Sequence, residues 1–316
     1  MNKKVVVLGG GKGISYLLAG LKDFPLDITA VISVADNGQS TGKLREEFHI
    51  PAVGDIRKVI TSLSESDENI KEMLAYRFHT TSDLDGHALG NLILTSLLDV
   101  TGSLKSAIEE LSILLDVKSK ILPLTEDENI TLMGEAIDGD IIEGEEMITK
   151  SPKKIKKLFY KEEPHILNEV IEAINEADLI LLSMGSLYTS LFPNLLAKKV
   201  IKALDKTKAP IMYVCNIVTQ PGETDNFTVS DHVNLINQYL GTHKLDVVIA
   251  SNSPISKEMA EKYASEERKD PVKIDYAVLK SLDVEFIEAD LLTIADNTLK
   301  HHSQKLSSLI FSYLMR

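Results

Sequence analysis

The apolar run Leu179–Leu182 constrains the fold most, because four such residues in succession suit a strand buried on both faces of a parallel sheet. The run gives way to Gly185-Ser186-Leu187-Tyr188-Thr189-Ser190, and a helical pattern follows around Leu195, Leu196 and Val200. A strand that opens into small hydroxyl residues presents a site at its carboxyl end, where open α/β sheets take ligands. The same order recurs at residues 211–216, which lead into Ile217-Val218-Thr219-Gln220-Pro221-Gly222-Glu223-Thr224. It appears again at 246–250, before Ser251-Asn252-Ser253-Pro254.

The rest of the chain fits this alternation. Residues 4–8 and 28–34 read as strands with a helix between them carrying Leu17, Leu18 and Leu21, and helical periodicity fills much of 56–115. Leu63, Met73, Leu74, Leu89, Leu92, Ile93 and Leu97 are the expected core contacts of that block. Between 117 and 150 short alternating segments are separated by Asp138-Gly139-Asp140 and Glu143-Gly144-Glu145, which predicts a small antiparallel β insertion. Residues 284–287 read as a late strand and 299–314 as a closing helix. The expectation is one α/β domain over 1–316, with a mainly parallel sheet and a β-rich insertion at 117–150.

Composition removes several classes. A net charge of -13 repels a phosphate backbone, and the one basic stretch, Lys150 with Lys153, Lys154, Lys156 and Lys157, reads as a solvated lysine face. No window approaches the roughly 18–20 apolar residues of a membrane span, and Met1-Asn2-Lys3-Lys4 enters a strand rather than a signal-peptide core, so a cytoplasmic protein is expected. The single cysteine, Cys215, excludes an internal disulfide and reads as a small buried hydrophobe. Glu126, Asp127, Glu128 and Glu135 form no twelve-residue calcium loop.

The chemistry concentrates where strands end. Gly9-Gly10-Gly11-Lys12-Gly13 follows the first strand and reads either as a phosphate cradle at a helix start or as a tight turn; Ile14 and Tyr16 break the strict dinucleotide fingerprint. The second strand leads to Asp36-Asn37-Gly38-Gln39-Ser40-Thr41-Gly42-Lys43-Leu44-Arg45, where the glycines are one residue too close for a P-loop. Asp36 stands either as a ribose-binding acid or as a turn former. In Gly54-Asp55-Ile56-Arg57, Asp55 suits a helix cap and Arg57 a phosphate contact. Gly86-His87-Ala88-Leu89-Gly90-Asn91 sets His87 and Asn91 at another helix start, as structural or ligand-facing groups.

Taken in order, GGGKG, VADNGQSTGKLR, GDIR, YRF with GHALGN, GSLYTSLFPNLL and YVCNIVTQPGET closely resemble the gluconeogenesis factor family, related to the 2-phospho-L-lactate transferases of deazaflavin cofactor biosynthesis. The resemblance runs from Val5 to about Leu292. It implies a Rossmann-like, three-layer α/β fold and a cytoplasmic regulator of cell shape during growth on gluconeogenic carbon sources. The implied ligand is a nucleotide-linked metabolite, a UDP-sugar. By similarity Gly10, Gly11, Lys12 and Gly13 would approach its phosphates, and Asp36 and Asn37, with Ser40, Thr41 and Arg45 after them, would lie beside the transferred or metal-bound group. Gly185, Ser186, Tyr188 and Thr189 would line the opposite wall, Asn194, Asn216 and Thr219 would complete the pocket, and Asn216 or Asn252 would read the base.

The transferase relatives carry paired aspartates where this chain has Asp36-Asn37, and Gly-Pro-Gly where it has Ser183-Met184-Gly185. Losing one carboxylate weakens a Mg2+ site. A binding and regulatory role therefore leads. A transferase with Mg2+ and Asp36 at its centre is the alternative, and a nicotinamide (NAD) enzyme ranks last because no hydride-transfer acid accompanies the glycine turn. The sequence leaves open a homodimer, a partner in cell-wall synthesis, and a kinase acting on hydroxyls such as Thr298 and Ser303.

Overall fold

The computed structural model describes residues 2–295 and 297–316. Strand β1 (Lys3–Gly9) buries its Val-Val-Val-Leu run and passes into helix α1 (Gly11–Leu21), after which β2 (Leu26–Ile32) pairs parallel with β1. β2 ends before Ser33, so residues 33–38 are free to form a loop. Five helices follow: α2 (Gln39–Phe48), α3 (Gly54–Leu63), α4 (Glu68–Ala75), α5 (Leu89–Thr101) and α6 (Leu104–Leu114). Leu63 and Leu74 are core residues as expected, but Met73 is 41% exposed. At 3.6 residues per turn adjacent side chains diverge by about 100°, and α4 turns only Leu74 fully inward.

The β-rich insertion is displaced from its expected bounds. β3 (Lys120–Pro123) pairs with β2 at the edge of the main sheet. The small antiparallel sheet consists of β4 (Leu132–Ala136), β5 (Ile141–Glu143) and, after α7 (Glu145–Lys150), β6 (Ile155–Tyr160), in the order β5-β4-β6. β6 lies beyond residue 150 because Ile155 and Leu158 turn inward while Lys156 and Lys157 face solvent. Lysines in and just before β6 form the expected solvated face: Lys156 pairs with Glu135 at 2.6 Å, and Lys153 pairs with Asp138 and Asp140.

Next come α8 (Asn168–Glu176), β7 (Leu179–Leu182), one π-helical turn over Leu187–Leu191, α9 (Phe192–Leu195), α10 (Lys198–Leu204), β8 (Ile211–Val214), α11 (Val229–Tyr239) and β9 (Val247–Ser251). Every residue of β7 and β8 is buried, as apolar runs without alternation require. The chain closes with α12 (Lys257–Lys262), α13 (Tyr276–Leu279), β10 (Glu285–Ala289), β11 (Leu292–Ala295), β12 (Thr298–His301) and α14 (Ser303–Leu314). The expected closing helix over 299–314 loses its first turn, because Leu299, Lys300 and His301 pair with β11 in a hairpin. His302 then caps α14 by accepting the Lys305 N–H at 3.4 Å.

The main sheet has the order β10-β9-β8-β7-β1-β2-β3 and every pairing in it is parallel. The winding direction reverses between β1 and β7. The carboxyl ends there diverge into separate loops and leave a crevice, the usual ligand position in this class of sheet. Among the described residues no helix is long and apolar enough to cross a membrane.

Candidate functional site

The glycine turn is shaped by close packing. A Cβ on Gly13 would stand 1.8 Å from the Met184 carbonyl oxygen, so only glycine lets α1 start against the loop after β7. Gly11 has a φ of +64, a left-handed backbone that costs glycine nothing. Its N–H, expected to meet a phosphate, is donated to Asp55 Oδ2 at 2.6 Å. Asp55 thus caps α1, a helix distant in sequence, and not its own helix α3, whose N-cap position is Val53. Its other oxygen accepts from Lys58 at 2.8 Å. Lys12 is exposed beside this turn.

The Asp36 loop is held from within. Asp36 Oδ1 accepts the Gly38 N–H at 2.9 Å, and burial followed by the charge of Asp55 raises its pKa. Asn37 Oδ1 accepts the Glu146 N–H at 2.9 Å and so fixes the start of α7. The Arg45 guanidinium donates to the Asp36 carbonyl at 2.9 Å and the Ile130 carbonyl at 2.6 Å, stapling the loop to the segment that leads into the small sheet. Ser40 Oγ accepts from Asn91 Nδ2 at 3.2 Å and lies 3.1 Å from His87 Nδ1, while Asn91 Oδ1 accepts from Arg57 Nε at 3.3 Å. Four residues singled out in three motifs thereby form one buried network.

That network forms the floor of a cleft of about 260 Å³ bounded by Asp36, Thr41, Arg57, Lys58, Arg77 and Glu145. Burial, and then the neighbouring Arg77, lowers the pKa of Arg57. Glu145 is pushed up to about 7 by burial first and the Asp36 charge second. Two larger hollows also border α2. One, of about 340 Å³, is lined by Asp99, Glu126 and Glu128, which repel phosphate; the other, of about 380 Å³, is lined by Arg45, with its donors spent, and by Glu46 and Glu128. Of the three hollows beside α2, the 260 Å³ cleft is the one in which several cations converge, Arg57, Lys58, Arg77 and Lys150, facing Asp36, Glu145 and Glu146. Sequence reasoning missed Lys58, Arg77 and Glu145 as lining residues, although Lys58 directly follows Gly54-Asp55-Ile56-Arg57, and Arg77 and Glu145 fall within segments already noted.

At the end of β7, Gly185 has a φ of +135, and Asn216 holds both sides of its backbone: Asn216 Oδ1 accepts the Gly185 N–H at 2.9 Å and Nδ2 donates to the Gly185 carbonyl at 2.7 Å. Asn216 therefore acts as a clasp on this loop. Ser186 caps the π-helical turn by accepting the Thr189 N–H at 2.9 Å, and donates its own proton to Glu223 at 2.7 Å. Four expected ligand residues lie elsewhere. Tyr188 is buried edge-on against Phe192 at 5.5 Å, and Asn194 spends Nδ2 on the Gly9 and Ser190 carbonyls at 3.1 and 3.0 Å. Thr219 Oγ1 accepts the Asp270 N–H at 2.9 Å inside a loop clasp, and Asn252 is exposed after β9, outside the cleft lining. Among the described residues no group of three or more His, Cys, Asp or Glu side chains is arranged to hold a metal ion. Asn37, which replaces a second aspartate, spends its amide oxygen on Glu146.

A parallel sheet that reverses at β1 and β7, with polar loops gathered at its carboxyl ends, defines a doubly wound α/β protein with a small antiparallel sheet beside it. The chain belongs to the 2-phospho-L-lactate transferase CofD family, whose family model matches residues 5–292. It is 40% identical over 312 residues to the gluconeogenesis factor of Bacillus subtilis, covering 98% of each chain. It is 42% identical to the gluconeogenesis factor of Halalkalibacterium halodurans over 98% of this chain and 95% of that one. The crystal structure of a UPF0052 family protein from Bacillus halodurans superposes with a TM-score of 0.94 at 42% identity, covering 98% of this chain and 99% of the other.

Proposed function

We propose that this protein is a cytoplasmic regulator that binds a UDP-sugar and supports cell shape and growth on gluconeogenic carbon sources. The observation that carries the binding assignment is the convergence of Arg57, Lys58 and Arg77 on one cleft beside the Asp36 loop. A buried guanidinium next to a second one is costly alone, and a diphosphate between them offsets that cost through charge-assisted bonds. Ser40, Asn91 and His87 fix the cation wall from behind, and Asp36 and Thr41 supply groups suited to sugar or ribose hydroxyls. The gluconeogenesis factor relatives support the physiological side of this reading.

Calorimetric titration with UDP-N-acetylglucosamine, NAD and a GDP-linked ligand, each with and without Mg2+ and followed by product analysis, tests the proposal. Tight binding of the UDP-sugar without turnover is the expected result. Preference for the GDP-linked ligand with Mg2+, or consumption of it with an acceptor, would instead favour a transferase, the reading to which the family match over residues 5–292 lends weight.

A further inference from the structure

The hollow of about 340 Å³ beside α2 gathers acceptors, and no lysine or arginine lines it. Asp99, Glu126 and Glu128 supply its charge, and Ile50, Leu98 and Leu104 supply apolar wall. One Glu126 oxygen accepts the Lys105 N–H at 2.8 Å at the start of α6, and Lys105 Nζ is drawn away to Glu169 at 2.5 Å. Thr95 lines the same hollow, is 6% exposed, and its hydroxyl has no hydrogen-bond partner among the described residues. It stands one turn after Asn91, whose amide reaches Ser40 on α2, and one turn before Asp99. Residues four apart share a helix face, so Thr95 and Asp99 look toward the end of α2 where the hollow lies.

Two helices also bring their negative ends here. α2 stops at Phe48, and His49 after it has a φ of +52; among the described residues no backbone N–H outside the helix closes on the carbonyls of its last turn. α5 ends at Thr101 with no basic residue in its last turn, and Leu98, Asp99 and Gly102 border the hollow. Helix carboxyl ends favour cations, and these two add to the three carboxylates. The one positive end nearby, the start of α6, is already satisfied: Ser103 Oγ accepts the Ser106 N–H at 3.1 Å and Glu126 accepts the Lys105 N–H.

An ammonium group offers three donors and no acceptor, the complement of such a wall. The carboxylates do not gather around a single point, since among the described residues no three His, Cys, Asp or Glu side chains are placed to hold a metal ion. Glu128 also borders the neighbouring hollow toward the small sheet, whereas Asp99 does not. Separated charges over an apolar wall suit separated ammonium groups on a carbon chain, whose methylenes pack against Ile50, Leu98 and Leu104. We propose that this hollow binds an aliphatic diamine, one ammonium at Asp99 and the Thr95 hydroxyl and the other at Glu126 and Glu128. The hollow shares no lining residue with the Arg57 cleft, so this site stands independently of the function proposed above.

Calorimetric titration of 1,4-diaminobutane into the full native chain, at about 0.15 M salt to screen general attraction to an acidic protein, tests the site. One saturable site is expected, with 1,4-butanediol silent and Mg2+ failing to compete at equal concentration. The pair Asp99→Asn with Glu128→Gln should weaken binding by about tenfold or more. Both side chains are exposed, and cooperative unfolding checks that this variant folds. The pair Glu258→Gln with Glu261→Gln removes the same charge from exposed positions of α12 and should leave affinity within about twofold. Thr95→Val, which keeps the side chain's shape, should also weaken binding, and Arg57→Ala should not change it. The site is overturned if no saturable binding occurs up to about 10 mM, or if both pairs of charge substitutions weaken it equally. Binding of the diol or of Mg2+ as strong as that of the diamine would overturn it as well.

Discussion

Asn216→Asp changes one atom group in the clasp that positions Gly185. The native amide accepts the Gly185 N–H at 2.9 Å and donates to the Gly185 carbonyl at 2.7 Å. A carboxylate retains the first bond and loses the second, and it sets negative charge against a carbonyl oxygen. An unsatisfied partner of this kind costs about 1–3 kcal/mol, and partial solvent access at this loop favours the lower part, about 1–2 kcal/mol. For a chain of 316 residues that corresponds to a fall in Tm of roughly 1.5–3 °C. The penalty also has a pH signature. The folded state favours the protonated acid, which can donate to the carbonyl, so the introduced group's folded pKa lies above its unfolded value of about 3.9. The destabilisation is therefore full above the folded pKa and fades as pH falls toward the unfolded one. Urea unfolding of both proteins at several pH values, with the m-value checked for constancy, measures it. Equal stability at neutral pH, or a penalty that does not shrink on acidification, would refute the clasp.

Three further outcomes are expected. Gly13→Ala places a Cβ 1.8 Å from the Met184 carbonyl oxygen and should lower stability by at least about 1–3 kcal/mol in thermal unfolding, because backbone lies on both sides of the contact. His301, buried and donating Nε2–H to the Cys215 carbonyl at 3.1 Å, has its pKa lowered to about 4 by burial. Its stability contribution is complete above the unfolded value of about 6.5 and declines by about 3 kcal/mol as pH falls through about 4, so His301→Gln should make the acid limb of the stability curve shallower. Arg45→Met removes the staple between the Asp36 and Ile130 carbonyls and should speed amide exchange in β4 and the loop before it, leaving β7 and β8 protected.

The parts legible in the sequence are those whose cause is local. β7 and β8 stand out because each is a short unbroken apolar run, and the strand–helix alternation follows from their spacing. β6 was hidden because four of its six residues are lysine or aromatic, which obscures the inward Ile155 and Leu158. β12 was hidden because Leu299 continues an apolar pattern into α14, and only pairing with β11 distinguishes it. At the site, Arg57, Ser40, Asn91 and His87 were each visible as polar residues at element ends. Their assembly into one wall was not, since the Ser40–Asn91 partners lie 51 residues apart. The same holds for Asp55, whose partner Gly11 lies 44 residues away, and for Glu223, which reads as a loop residue until Ser186 is placed against it. Asn194, Thr219 and Asn216 carry polar side chains for backbone carbonyls and amides in tight loops, a role that residue type alone cannot separate from ligand binding.

The most direct test of the binding cleft is calorimetric titration of UDP-N-acetylglucosamine into native protein and into Arg57→Ala, with cooperative unfolding confirmed for both. Loss of a charge-assisted contact worth about 1.5–3 kcal/mol predicts affinity weaker by about 10- to 100-fold in the variant. Native affinity in a folded Arg57→Ala protein would contradict the assignment of this cleft.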